Sequence, residues 1–331
     1  MFDIITFGSA TRDTFLRIKK DTFRILDGEF PEGQALCFPL GSKIFIENLN
    51  VFTGGGGTNT ACTFSNQGFK TAYCGKIGND KRGEAILEDL KKFKVDTGFI
   101  KKDKKYLSAC SIILSLPHAE RTILIYRGAC HFLQKQDISF NELKKTKWFY
   151  LAPLSGEATQ LFGHLVKFAK ENNIKVASNL GDSQLNLKEE ILKPILAQID
   201  ILILNEEEAS LLSGIKKEKE EEEVFKKISD LYKGILVITK DKKGSMVSDG
   251  KYVYSAGAPP VLPLEKTGAG DAFASGFLSG LLQKNDIEYA IQLATANATG
   301  CIQKIGAKNG LLKKGELGSW PLVKVEKNLL P

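Results

Sequence analysis

The sequence predicts an α/β protein built on a parallel, doubly wound sheet, with helices on both faces and a second, smaller β-sheet. From residue 147 onward, short apolar strands alternate regularly with amphipathic helices, which is the rhythm of a parallel sheet. Residues 14–52 instead carry short alternating segments separated by turns, and such segments favour a small accessory sheet.

Composition narrows the functional classes. The 331 residues are 43% hydrophobic and 26% charged, enough for a sizeable core. Three His disfavour a His-rich metal site, and six scattered Cys without a C-x-x-C pair indicate reduced thiols in a cytoplasmic protein. No signal peptide or membrane-length apolar run is evident. The net charge of +7 is modest and its Lys residues are not interleaved with aromatics, so nucleic acid is not expected as a partner.

The first strand is predicted from Met1 to Gly8. Asp13 is expected just past a strand end, where ligand groups commonly sit in α/β sheets, although a turn is the simpler interpretation. Accessory strands are then predicted at residues 15–18, 23–26 and 43–46.

Four consecutive glycines, residues 54–57, come next. A helix is predicted at once over 58–67, and Gly68 follows it as a C-cap residue would. A flexible linker would not need that helix, so a loop whose backbone approaches a ligand is favoured. Asn59, in the first turn, offers both a donor and an acceptor.

A strand at 71–78 and a helix to about residue 93 continue the chain. Residues 108–116 and 121–126 are predicted to form a hairpin of the accessory sheet, joined by residues 117–120. Arg127 ends the hairpin and is a candidate anion ligand, although an exposed Arg at a strand end is usually only solvated.

From residue 147 onward, strands and helices alternate regularly. Strands are predicted at 148–151, 174–178, 201–204 and 235–239, and helices near 157–171, 187–199 and 218–233. Residues 252–254 are predicted to form a hairpin strand, and residues 286–303 a last long helix. The run of four Glu at 220–223 is interpreted as a solvated helix face.

Asn205 and Glu208 follow the strand at 201–204. Three residues apart at a helix start, they can face the same way. They suit a hydrated Mg²⁺, which takes one or two carboxylates and keeps several waters. The alternative is a helix start whose acids the dipole favours.

The most informative stretch is 266–273, a glycine-containing turn that leads into a helix. The helix start can hold an anion, and Asp271 places a carboxylate beside it. This combination suits phosphoryl transfer, in which amides hold the developing charge and the Asp takes a hydroxyl proton. A turn with Asp as N-cap is an equally good interpretation of this stretch alone. The small residues of the helix line one face, which would let a neighbouring backbone approach closely.

Four motifs together resemble the ribokinase-like (PfkB) carbohydrate kinases. They are Gly-Gly-Gly-Gly-Thr-Asn at 54–59, Gly-Lys-Ile-Gly-Asn-Asp at 75–80 followed by Gly83, Asn-Glu-Glu-Glu-Ala at 205–209, and Thr-Gly-Ala-Gly-Asp-Ala-Phe at 267–273. They occur in the family's order along essentially the whole chain. The resemblance implies a three-layer α/β/α sandwich with a small β-sheet lid. The core would comprise residues 1–13, 53–105 and 128–331, and the lid residues 14–52 and 106–127.

The resemblance also implies roles. Asp271 is the expected catalytic base, and the amides of Gly268, Ala269 and Gly270 the expected anion hole. Expected sugar-binding residues are Asp13, Gly55, Gly57, Asn59 and Arg127. Expected nucleotide and metal positions are Asn205, Glu208, Thr239, Gly244, Gly268 and Gly270.

The implied activity is ATP- and Mg²⁺-dependent phosphorylation of a hydroxyl of a small sugar or sugar derivative. A nucleoside kinase with Phe45, Phe52 and Tyr126 as an aromatic wall is an alternative. A phosphorylated or carboxylated sugar held by Arg12, Lys43 and Arg127 is another. A sugar-binding homologue without catalysis is a third, and a nicotinamide-dependent enzyme fits less well because G-x-G-x-x-G does not follow the first strand.

Some positions depart from the family pattern. Thr11 stands where the family usually has Asn, and Asp241 replaces a Gly near the nucleotide. Gly56 and Ala152 stand where ribokinases usually have Lys and an acidic sugar ligand, which points away from ribose. Glu265 and Lys266 replace the usual Asp-Thr, so participation of K⁺ is left open. Lids of the family sometimes pair, so a homodimer through the lid is permitted.

Overall fold

The computed structural model describes residues 1–30, 33–115, 121–215 and 221–330. The strands are β1 Phe2–Phe7, β2 Thr11–Ile18, β3 Arg24–Phe30, β4 Gly33–Cys37, β5 Ile46–Gly54, β6 Thr71–Gly78, β7 Ile100–Asp103, β8 Ala109–Ser115, β9 Thr122–Tyr126, β10 Thr146–Leu151, β11 Lys175–Asn179, β12 Ile201–Asn205, β13 Ile235–Thr239, β14 Ser245–Ser248, β15 Tyr252–Ala256 and β16 Val325–Leu329.

The helices are α1 Gly56–Asn66, α2 Lys81–Lys92, α3 Phe140–Leu143, α4 Leu161–Glu171, α5 Asp182–Leu185, α6 Glu189–Leu196, α7 Glu206–Ser213, α8 Glu221–Leu231, α9 Ala269–Lys284 and α10 Ile287–Ile302. Short 3₁₀ turns lie at Lys20–Thr22, Gly128–Phe132, Lys135–Asp137, Gly156–Gln160 and Asp241–Lys243.

The central sheet has the strand order β16-β15-β14-β13-β12-β11-β10-β1-β6-β7. The strands from β13 to β7 in this order are parallel, and β14, β15 and β16 extend the sheet as antiparallel strands. The predicted doubly wound α/β sheet is therefore confirmed. Because the parallel strands point the same way, their carboxyl ends meet at one edge of the sheet.

Helices cover both faces of the sheet. Along β10, Phe149 points into a core that includes Leu165 of α4 and Ile228 of α8. The neighbouring Tyr150 points into a second core, with Phe64 of α1. Side chains of a strand alternate between the two faces, so these strands are buried on both sides. The result is three layers.

The small residues of α9 permit the close approach that the sequence predicts. A Cβ added at Gly280 would lie 2.7 Å from Cα of Ala290 on α10, and one at Gly276 would lie 3.0 Å from Cα of Ala294. No side chain fits between the two backbones at these points. This packing holds the middle and the end of α9 against α10.

A separate four-stranded sheet has the order β5-β2-β8-β9 and is called the lid sheet below. Strand β2 pairs antiparallel with β5 and parallel with β8, and β8 pairs antiparallel with β9. The predicted hairpin of the accessory sheet is therefore confirmed, although its connection lies outside the described residues. Strands β3 and β4 form a two-stranded sheet of their own.

Several local expectations were wrong. The strand predicted at 43–46 begins only at Ile46, because pairing with β2 continues to Gly54. Asp13 lies within β2 rather than past a strand end. Strands β4, β7, β14 and β16 were not predicted, and β7 and β16 lie at the two edges of the central sheet. The strand predicted at 23–26 lies in β3, which pairs with β4 in a separate sheet and not with the lid sheet. The start of the helix predicted at 218–233 lies outside the described residues, and α8 is described from Glu221.

Candidate active site

Two helix N-termini converge at the carboxyl edge of the central sheet. Gly55 precedes α1 with φ 96°, and Gly268 precedes α9 with φ 86°. A Cβ at Gly55 would lie 2.5 Å from the carbonyl oxygen of Ser9, and one at Gly268 would lie 2.4 Å from Cβ of Ala307. Only glycine fits both the left-handed backbone and the close neighbour at these two points.

Asp271, in the first turn of α9, contacts the first turn of α1. The amide nitrogen Nδ2 of Asn59 donates to Oδ2 of Asp271 over 2.8 Å. A Cβ at Gly56 would lie 3.2 Å from the other carboxylate oxygen, so glycine leaves that side of Asp271 open. The Oδ1 of Asn59 is buried and has no hydrogen-bond partner within the described part of the chain. A donor such as a ligand hydroxyl would satisfy it.

The charge state of Asp271 reflects opposing effects. Burial raises the pKa of this carboxyl above its usual value, while the Asn59 hydrogen bond and the charge of Lys308 lower it. The charge of Asp13 raises the same pKa further. A carboxylate with a raised pKa is a better proton acceptor, which is what a general base at neutral pH requires.

Asp13 lies at the root of the lid sheet and is itself buried. The hydroxyl of Ser111 on β8 donates to its Oδ1 in a short hydrogen bond. Burial raises the pKa of Asp13, against the lowering effect of hydrogen bonds from Ser111 and Thr11. A Cβ at Gly54 would lie 2.0 Å from Oδ2 of Asp13, so this glycine makes room for the carboxylate.

The glycine turn before α9 carries the three amides that the sequence predicts as an anion hole. The amide of Ala269 donates to the carbonyl of Lys266 over 3.2 Å, so in this structure that amide has another partner. The amides of Gly268 and Gly270 are the better candidates, and Gly270 is exposed. Helix N-termini bind anions through such amides.

Asn205 and Glu208 form a capping box at the start of α7. Glu208 N–H donates to Oδ1 of Asn205, and Asn205 N–H donates to Oε2 of Glu208, both over 2.8 Å. The side-chain amide of Asn179 also donates to Oε2 of Glu208 over 3.2 Å. The two residues predicted to hold a metal ion therefore also cap the start of a helix, which was the alternative interpretation.

The residues around Glu208 fit a divalent cation that keeps most of its waters. Burial raises the pKa of Glu208 to about 7, and the negative charges of Asp182 and Glu207 raise it as well. A cation would offset this negative potential. Within the described residues no group of three or more His, Cys, Asp or Glu side chains is arranged as a metal site.

The predicted nucleotide residues lie on neighbouring strands. Thr239 at the end of β13 is directly opposite Asn205 at the end of β12. Gly244 closes the following turn with φ 96°, and its carbonyl accepts from Lys240 N–H over 2.8 Å. A Cβ at Gly244 would lie 1.9 Å from the carbonyl oxygen of Ala256, so the turn requires glycine.

Two predicted sugar-binding residues are placed differently from the rest. Gly57 is buried, and a Cβ there would lie 2.6 Å from the ring of Tyr73, so its role here is to let α1 pack closely. Arg127 is exposed at the end of the lid hairpin, and its carbonyl accepts from the thiol of Cys130. Neither contacts Asp271 in the described structure.

The sequence alone missed other polar groups at this edge. Tyr150 is fully buried, and its hydroxyl has no hydrogen-bond partner among the described residues. Burial raises the pKa of Tyr150 well above its usual value, and the charges of Asp271 and Glu208 raise it further. Ser111 and Asn179 contact Asp13 and Glu208 directly. The signal for Asn179 was available, since it ends a strand of the parallel sheet; a buried Tyr in an apolar strand carries no such signal.

A model of the pfkB family of carbohydrate kinases matches residues 40–314 of the chain. The ribokinase of Haemophilus influenzae is 28% identical over 83% of this chain and 89% of that protein. The 5-dehydro-2-deoxygluconokinase of Clostridium perfringens is 30% identical over 76% of this chain and 78% of that protein. The solved structure of Arabidopsis thaliana ribokinase with ribose and ATP has a TM-score of 0.78 at 20% identity, covering 96% of this chain and 97% of that one.

Across the described ranges, no helix is both long enough and apolar enough to cross a lipid bilayer.

Proposed function

The chain belongs to the pfkB family of carbohydrate kinases, and we propose that it transfers the γ-phosphoryl group of ATP to a hydroxyl of a small sugar or sugar derivative. The observation that carries this proposal is the contact between Asp271 and Asn59, where two helix N-termini meet. It puts a proton acceptor beside backbone amides that can hold phosphoryl oxygens.

In the proposed reaction the acceptor hydroxyl lies within hydrogen-bond reach of Asp271 and gives it a proton. The hydroxyl oxygen then forms a bond to the γ-phosphorus as the bond to the β-phosphate oxygen breaks and ADP leaves. The amides of Gly268 and Gly270 stabilise the charge on the transferring group. Asn59 orients Asp271 with its Nδ2 and accepts a substrate hydroxyl with its Oδ1, and Asp13 accepts another.

Asn205, Thr239 and Gly244 form the proposed nucleotide side of the site. The neighbouring Glu208 would hold Mg²⁺ mainly through the ion's waters. When bound, the ion would neutralise phosphate charge. The structure of Arabidopsis thaliana ribokinase in complex with ATP is consistent with a nucleotide on this fold.

The acceptor is proposed to be larger than ribose or differently substituted. A Cβ at Gly56 would lie 3.1 Å from Cβ of Ala152, so two minimal residues face each other beside Asp271. The 5-dehydro-2-deoxygluconokinase of Clostridium perfringens is 30% identical over 76% of this chain, and the ribokinase of Haemophilus influenzae is 28% identical over 83%. A carboxylated sugar is therefore a leading member of the class, with Arg12 and Arg127 as nearby cations of the lid root.

A monovalent cation is expected to matter little. Oε1 of Glu265 accepts from the Thr267 hydroxyl over 2.7 Å, and the guanidinium of Arg121 lies 3.4 Å from the same oxygen. A protein cation thus already lies against this carboxylate. We expect turnover to respond weakly to replacement of Na⁺ by K⁺.

The lid sheet is proposed to cover the acceptor, with the lid formed by residues 14–52 and 106–127. Its outer face exposes apolar side chains on three strands, at Leu49, Val51, Ile112, Leu124 and Tyr126. Such a patch is typical of an interface. A homodimer through this face is proposed, and sedimentation velocity would measure it.

The test is an ADP-release assay with Mg²⁺ and ATP against ketoses, pentoses, sugar acids, sugar phosphates and nucleosides, each with Na⁺ or with K⁺. Turnover of a sugar or sugar acid supports the proposal. Turnover of nucleosides alone would assign the acceptor class to nucleosides instead. ATP binding without turnover of any compound would favour a non-catalytic binding protein.

A further inference from the structure

A buried ammonium lies behind the proposed acceptor pocket. Lys308, in the loop after α10, is only 5% exposed. Its Nζ donates to Oγ1 of Thr53 on β5 over 2.8 Å and lies 3.2 Å from Oδ2 of Asp89 on α2. The hydroxyl of Thr53 also donates to Asp89 in a short hydrogen bond. Lysine is rarely buried unless it is paired in this way.

The loop that carries Lys308 is held between the two halves of the site. A Cβ at Gly306 would lie 2.9 Å from the ring of Phe52 at the lid root. The next residue, Ala307, packs against the glycine turn before α9. A Cβ added at Gly268 would lie 2.4 Å from Cβ of Ala307. The ammonium therefore has a fixed position between the lid and the start of α9.

Two carboxylates of the site lie close to the residues that hold this ammonium. Thr53, which accepts from Lys308, precedes Gly54, where a Cβ would lie 2.0 Å from Oδ2 of Asp13. Asp13 is buried and Asp271 is partly buried, and the charge of Asp13 disfavours ionisation of Asp271. The charge of Lys308 favours ionisation of both carboxylates, and that of Arg12 favours ionisation of Asp13. Tyr150 and Cys301, the other titratable groups that respond to Asp271, stay neutral at physiological pH because burial raises their pKa values, that of Cys301 to about 12.

We infer that Lys308 is a positioning residue for phosphoryl transfer, whose buried ammonium keeps Asp13 and Asp271 ionised together. Thr53 and Asp89 hold the ammonium in place. This inference rests on the proposed function, because it assigns to Asp271 the task of accepting a proton. It adds a residue outside the four sequence motifs, at a position that no motif singles out.

The test compares pH profiles of kcat/KM for the acceptor that the panel identifies. Asp271 must be ionised to act, so activity falls as pH drops through its pKa. Lys308→Gln removes the charge and keeps hydrogen-bonding capacity, and the midpoint of the acid limb should move up by roughly one pH unit, the effect of one unit charge in a protein interior. Lys308→Arg keeps the charge and should leave the midpoint unchanged.

If Lys308 had only a structural role, its replacement would lower kcat/KM at every pH without moving the midpoint of the acid limb. A folded Lys308→Gln variant with the wild-type midpoint overturns the inference. Should that variant not fold, Lys308→Met removes the same charge and keeps an unbranched side chain, and the same criterion applies. A wild-type protein that phosphorylates nothing in the panel refutes the proposed function instead, so the two failures are distinguishable.

Discussion

Strands β6 and β9 are both rich in apolar residues, yet all eight residues of β6 are buried and all five of β9 are exposed. The first lies inside the central sheet with helices on both faces. The second is the outer edge of the lid sheet. The buried apolar side chains of the lid, Phe15, Ile18 and Ile113, lie on its inner strands β2 and β8. The difference teaches that apolar packing covers both faces of the core but not the edge of the lid, and polar contacts at the root of the lid join it to the core.

Those contacts are few and specific. Thr53 at the end of β5 belongs to the buried cluster with Asp89 and Lys308. Arg121, just before β9, reaches Glu265 in front of the glycine turn. Substitutions in the core should therefore alter turnover or folding, and substitutions in the lid should alter mainly acceptor binding. The predictions below test that division, from the largest expected effect to the smallest.

Asp271→Asn should lower kcat by about 10²–10⁴-fold, the usual contribution of a general base. Stability should not fall, because the buried carboxylate that is removed has a raised pKa and its ionised form is disfavoured in the folded state. ADP release measures kcat, and denaturant unfolding measures the stability. Near-wild-type turnover would remove Asp271 from the role of base.

Leu278→Ala should lower the free energy of unfolding by about 2–5 kcal/mol, since Leu278 on α9 is fully buried and its loss leaves a cavity. The matched change in the lid is Ile125→Ala, at a side chain that is 57% exposed and lies on the other face of β9 from the proposed dimer patch. It should cost less than about 0.5 kcal/mol. Denaturant unfolding compares the pair, and equal losses would contradict the division between core and lid.

Glu208→Gln should weaken the apparent affinity for Mg²⁺ by roughly 10–100-fold at pH 8. The wild-type pKa of about 7 means that protons compete with the ion below neutrality, so its Mg²⁺ requirement should rise as pH falls through 7. The variant should lose this pH dependence. Mg²⁺ titrations of turnover at several pH values measure both effects.

A surface change of equal charge provides the control for Glu208. Glu189→Gln on α6, at an exposed position, should leave the Mg²⁺ titration unaltered. A Glu208→Gln titration that matches wild type would exclude this carboxylate from the metal site.

Arg121→Gln should raise KM for the acceptor by about two- to fivefold and leave kcat nearly unchanged, because a partly exposed ion pair contributes only about 1 kcal/mol or less. Arg17→Gln, which breaks the exposed lid pair with Glu47, is the control and should alter neither constant. A fall in kcat without a change in KM would show that the lid contact acts on the reaction itself.

The sequence by itself predicted the parallel α/β sheet, the accessory sheet and the pfkB family, all of which are confirmed. It could do so because strand and helix periodicities are local, and because glycine, Asn and Asp in the motifs serve local backbone geometry. Asp271 and Asn59 were named as site residues from separate motifs. Their direct contact, across 212 positions of the chain, depends on how α1 and α9 pack.

Other features were decided by tertiary structure alone. Strand β5 starts and ends where its pairing with β2 does, so its apolar residues could not set its bounds. Lys308 resembles many other lysines in this Lys-rich chain, and only the packing of its loop between Phe52 and Gly268 makes it a buried charge. Local residues determine which elements form, but burial and long-range electrostatics depend on which elements the fold brings together.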